Sequence, residues 1–144
     1  MSLPISVMDY TTAKILANLA MFLMAWLAIV ISVVVVFSAA GMYGVIPVAI
    51  VVSFAPFVAF CLILGAALVS ESETITNWIM GACNISYSLL WFFLIRIPSV
   101  RADMTRPAAV WSPLILSILA VEVGATAVML GLTFYLQSRK TEFV

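Results

Sequence analysis

The chain has 144 residues, 66% of them apolar and 8% charged, with six basic and six acidic side chains, no His and two Cys. Soluble domains average ~25% charged residues, so a water-solvated globule is excluded, and a disordered chain would have to be far less apolar. Six scattered cations cannot neutralise a run of phosphates, which excludes nucleic acid as a partner.

What remains is an integral membrane protein, and an all-α one. An open strand in lipid leaves backbone groups unpaired at several kcal/mol each. Residues 15–70 carry no formal charge. One crossing of a ~30 Å hydrocarbon core takes ~20 apolar residues, so this stretch holds two spans, at about 12–38 and 46–70. Between them Ala39, Ala40, Gly41, Met42, Tyr43 and Gly44 form a turn, with Pro47 suited to the first turn of the next helix.

In the first span, Lys14 is expected to snorkel to the surface, with Asn18 one turn inside. The apolar run far exceeds the ~7–15 residues of a signal-peptide core, so insertion is expected through an uncleaved first helix. In the second span, Pro56 removes one backbone bond and is expected to free a carbonyl near Val52. Cys61 and Cys83 stand singly in different spans, without a Cys-x-x-Cys, and read as small apolar packing residues.

A polar patch at residues 70–74 precedes a third span at about 76–97. On it Asn77, Gly81, Asn84 and Ser88 recur at steps of 4, 3 and 4, so they share one helical face. A second polar connection carries Arg96, Arg101 and Arg106 among Pro98, Asp103 and Pro107. These arginines are expected to hold lipid headgroups, with pairing to Asp103 or contact with an acidic partner loop as alternatives.

The fourth span covers about 111–137 and ends in Ser138, Arg139 and Lys140. Glu122 stands about 16 Å along it from Trp111, near mid-membrane. An ionisable group at that depth is a functional candidate by default. It is expected to be neutral, acting as a hydrogen-bond donor: either a proton or cation site, or a carboxyl bonded to a neighbouring helix. Thr126 follows one turn on, and the Asn84–Ser88 stripe is the expected partner across the helices. Ala120, Gly124, Ala127 and Gly131 recur at steps of 4, 3 and 4 on another face, which allows a second helix to approach closely.

The expected architecture is a single membrane domain, residues 1–144, a four-transmembrane-helix bundle with short loops. In outline it resembles the MARVEL-type tetraspan modules of membrane traffic and junctions; no residue roles carry across. Four spans put both termini on one side with Lys14, Arg139 and Lys140, against the three loop arginines opposite. The first-helix preference and the basic tail tip this balance towards termini inside.

Without His there is no Ser-His-Asp triad or His-ligated haem, and no Gly-rich phosphate loop is present. No cofactor is expected, and no enzyme. Expected partners are the lipid bilayer and other membrane subunits or copies of the chain itself. The function expected from these features is that of a small accessory or assembly subunit of a larger membrane complex. The alternatives are a homo-oligomeric proton- or cation-coupled channel or carrier using Glu122, and a membrane-organising scaffold.

Overall fold

The computed structural model describes residues 7–139, which form helices and turns with no strand among the described residues. Five α-helices follow in order: α1 (Val7–Ala39), α2 (Ile46–Ser70), α3 (Glu73–Leu94), α4 (Pro98–Met104) and α5 (Pro113–Ser138). A 3-10 turn, Tyr43–Val45, leads into α2. Lys140, part of the basic tail in the charge balance, lies outside the described residues.

Local chemistry sets the boundaries. Gly41 takes φ 69° in the α1–α2 turn, a left-handed conformation that glycine adopts without a Cβ clash. Pro47 occupies the first turn of α2, where its missing N–H has no helical partner to lose. Between α2 and α3, Glu71 caps at φ 54° and Ser72 N-caps, its Oγ accepting from the Ile75 N–H at 3.4 Å.

Three helices are each long and apolar enough to cross a membrane: Asp9–Ala39, Tyr43–Ser70 and Pro113–Ser138. The fourth long helix, α3, has 22 residues, about 33 Å at the helical rise. Its Asn77, Asn84, Ser86 and Ser88 dilute the apolar content. It qualifies only together with α4, from which it is bent by 79°. The chain therefore has three qualifying helices, or four if α3 and α4 count as one broken span. Helix α3 also lies three residues earlier than the expected 76–97, because Ser72 caps its start.

The connection after α3 is not the irregular loop that its charges suggested. Pro98 presets the backbone at the start of α4, and Val100 and Met104, one turn apart, face inward. Val100 is fully buried in a core cluster with Val48, Val51, Val52, Leu94 and Ile115. At the same end Gly44 lies under this connection. A Cβ there would meet the carbonyl oxygens of Asp103, Arg106 (2.7 Å) and Met104 (2.9 Å).

The bundle is organised around α2, which packs against α5, α3 and α1; α1 also touches α5. An aromatic group holds α1 to α2: Phe22 stacks on Phe60 at 4.1 Å, and Trp26 meets Phe54 edge-on at 5.6 Å. In contrast, α3 leans mainly on α2; Thr76, Ile79, Cys83, Leu90 and Leu94 are its covered side chains. It runs the length of the bundle, from the Glu71–Ser72 turn to the cluster shared with the starts of α2 and α5. At the turn end, Thr11, Glu71 and Gln137 line a cavity of about 140 Å³, so the start of α1 and the end of α5 lie together.

The outer surface is apolar. Met21 and Met24 are 71% and 69% exposed, and Ile31, Val36, Ile85, Val121 and Val128 also point outward. In water so continuous an apolar exterior is an aggregation hazard; against lipid it is the required finish. Several helices apolar enough to cross, clothed in this way, make an integral membrane protein.

Candidate functional site

The site is built on the inward face of α5. Ile115, Glu122, Thr126, Thr133 and Gln137 are all buried there, at steps of 7, 4, 7 and 4. Such spacing keeps side chains on one side of a helix, and this side faces α2. Gly65 of α2 is what lets the helices meet: a Cβ in its place would collide with the Thr133 hydroxyl. Lower down, the Gln137 Nε2 donates to the Leu68 carbonyl oxygen, tying the end of α5 to α2.

The two threonines bond within their own helix. Thr126 Oγ1 donates to the Glu122 carbonyl oxygen at 2.9 Å, and Thr133 Oγ1 to that of Met129 at 2.8 Å. Backbone carbonyls four residues earlier are always within reach of such hydroxyls. Neither therefore reaches the carboxyl of Glu122. That residue is 8% exposed, and both its carboxyl oxygens are buried without a hydrogen-bond partner.

Glu122 lines a cleft of about 520 Å³ between α2, α3 and α5, the direct result of α3 leaning on α2 and standing off α5. Ala55, Ala59 and Leu62 form its floor on α2. Ile79, Cys83 and Leu90 form one wall on α3, and Val121 and Ala125 flank the carboxyl on α5. Ser86 and Tyr87 are the other polar-bearing residues of the lining. Both went unnoticed in the sequence, although they lie three and four positions from Cys83 and so share its side of α3.

The expected meeting of the Asn84–Ser88 stripe with Glu122 does not occur. Asn84 and Ser88 are exposed, and each bonds its own helix: Asn84 Nδ2 donates to the Met80 carbonyl at 3.1 Å, Ser88 Oγ to that of Asn84 at 3.0 Å. With these donors satisfied locally, nothing forces the stripe inward, and the more apolar neighbouring face takes the contact with α2. Ser88 instead borders a separate cavity of about 350 Å³ between α1, α2 and α3.

The other expected groups are placed as follows. Ala120, Gly124, Ala127 and Gly131 are exposed on the outside of α5, and a Cβ on either glycine would meet nothing within 4 Å. Arg96, Arg101 and Arg106 are exposed in the segment at the Gly44 end. Arg96 lies over the Phe92 ring at 3.9 Å, and Arg106 Nε is 3.3 Å from Asp103 Oδ1, the pairing held open from the sequence. Cys61 and Cys83 are free thiols. Among the described residues no three His, Cys, Asp or Glu stand together as a metal site. No family model, curated protein or solved structure matches the chain.

Proposed function

We propose that the chain is a non-enzymatic, four-span membrane protein serving as a small accessory or assembly subunit of a larger membrane complex. The observation that supports this most is the exposed small-residue stripe of α5. Ala120, Gly124, Ala127 and Gly131 are left uncovered by a helix whose opposite face is already buried on α2. Small faces of this kind let a second helix backbone come close, and packing of this sort drives association in lipid. The connections are short, and α4 is the one element between the long helices beyond single turns, so the mass available for recognition lies in the bilayer.

In this arrangement α3 is the third crossing. Both termini share one side with the Glu71–Ser72 turn, and that side is inside. Arg96, Arg101 and Arg106 face the headgroups opposite. Extraction in mild detergent followed by mass measurement tests the proposal: stoichiometric foreign subunits support it, and an active monomer contradicts it. Gly124→Leu together with Gly131→Leu should release the chain from its assembly.

A second reading has one observation in its favour. The unpartnered Glu122 carboxyl is what a homo-oligomeric proton- or cation-coupled carrier would present. Asn84 and Ser88, its expected path, lie outside the cleft, so such a path would have to form between copies. Proton flux in liposomes that is lost in Glu122→Gln would favour this reading. Self-assembly without foreign subunits or flux would favour a membrane-organising scaffold.

A further inference from the structure

We infer that the cleft between α2, α3 and α5 is a binding site for a lipophilic amine, with Glu122 as the group that recognises it. This goes beyond the assembly role and stands or falls separately from it.

Two features carry the inference together. The first is the space. At about 520 Å³ the cleft falls in the ~300–1,000 Å³ range of small-molecule sites, which are mostly apolar with a few placed polar groups. From Ile79 to Leu90 it runs about 16 Å along α3. That room suits a single compact or extended apolar molecule.

The second is the carboxyl. Glu122 is more than nine-tenths buried, lines this cleft, and has two oxygens without a donor. Buried polar groups without partners are rare and costly. Among the described residues no cation supplies one: Lys14, Arg96, Arg101, Arg106 and Arg139 are exposed. A bare metal ion suits the site poorly, because hard cations take six or more oxygen ligands and, besides Glu122, only Ser86 and Tyr87 bring side-chain oxygens to the lining. An amine on an apolar body matches both features. Once the Glu122 side chain turns its covered oxygens into the cleft, the N–H groups of the amine serve them, proton transfer from the carboxyl to the amine leaves a charged pair, and the body of the ligand replaces lipid along Ala59, Leu62 and Leu90.

The experiment uses the full chain in nanodiscs, with empty nanodiscs as background. Three probes of one shape are compared by equilibrium dialysis: 1-adamantylamine, 1-adamantanol and 1-adamantanecarboxylate. Saturable binding of the amine at one per chain, at least tenfold tighter than the alcohol and with no binding of the carboxylate, is expected. Glu122→Gln, which keeps the shape, should weaken amine binding at least tenfold. Ala59→Phe, which fills the floor and leaves Glu122 in place, should block it. Equal affinity for amine and alcohol overturns the inference, as does amine binding no greater than to empty nanodiscs or indifferent to both substitutions.

Discussion

The indole N–H of Trp26 on α1 donates to the carbonyl oxygen of Ser53 on α2, at 2.6 Å. That carbonyl lies next to Val52, whose helical bond Pro56 removes. The proline and the tryptophan therefore belong to one device: the helix turn weakened at Pro56 is stabilised from the neighbouring helix, inside the Phe22, Phe54, Phe57 and Phe60 group. Trp26→Phe keeps a ring there and removes the donor. It should lower stability by about 1 kcal/mol, read as a reduced midpoint of thermal unfolding in detergent. In Pro56→Ala the same substitution should cost less, since the restored backbone bond to the Val52 carbonyl holds the turn without the indole.

At Thr133, α5 lies directly against Gly65 of α2. Gly65→Ala should destabilise the bundle by about 1–3 kcal/mol through overpacking. Thr133→Ala removes the hydroxyl that the new Cβ would strike, leaving the Thr133 Cβ at an ordinary 3.7 Å. The double variant should recover most of the loss. Additive losses in the two single variants and the double would show that the two sites do not touch.

At the other end, Gly44→Ala places a Cβ against three backbone carbonyls, which cannot swing aside. A loss of about 2 kcal/mol or more is expected. Gly81→Ala is the matched control: a Cβ there meets nothing within 4 Å, and helix propensity favours Ala by up to ~1 kcal/mol. Proteolysis of the 95–112 connection should accelerate in the first variant and stay unchanged in the second.

Glu122 carries a cost in the isolated chain, because its two oxygens have no donor. Glu122→Leu should therefore raise the unfolding midpoint, by the equivalent of about 1–3 kcal/mol, while removing whatever the carboxyl recognises. A fall in stability on this substitution would instead assign Glu122 to holding the helices together.

Much of the helical plan is legible in the sequence, since charge-free length and turn chemistry act locally. Residues 46–70 become α2 without adjustment, because Pro47 and the Ser70–Glu71–Ser72 run mark both ends. The inward face of α5 was half legible: Glu122, Thr126 and Thr133 share a side by period alone, while Ile115 and Gln137 complete it seven residues before and four after. What periodicity cannot give is the partner of a face. Asn84 and Ser88 mark a polar stripe, yet an amide or hydroxyl that bonds its own helix is indifferent to its neighbours. The helix at Pro98–Met104 was hidden for a related reason: Arg101 and Asp103 mask the apolar pair Val100 and Met104, although Asp103 is itself buried beside Val100.

The most direct test of the account asks whether α3 crosses the membrane. In a background of Cys61→Ser and Cys83→Ala, single cysteines are placed at Ser72→Cys and Ser99→Cys and labelled with an impermeant maleimide, before and after the membrane is opened. The account predicts opposite behaviour: Ser99→Cys labelled from outside, and Ser72→Cys only once the inner side is exposed. Labelling of both positions from the same side would contradict it.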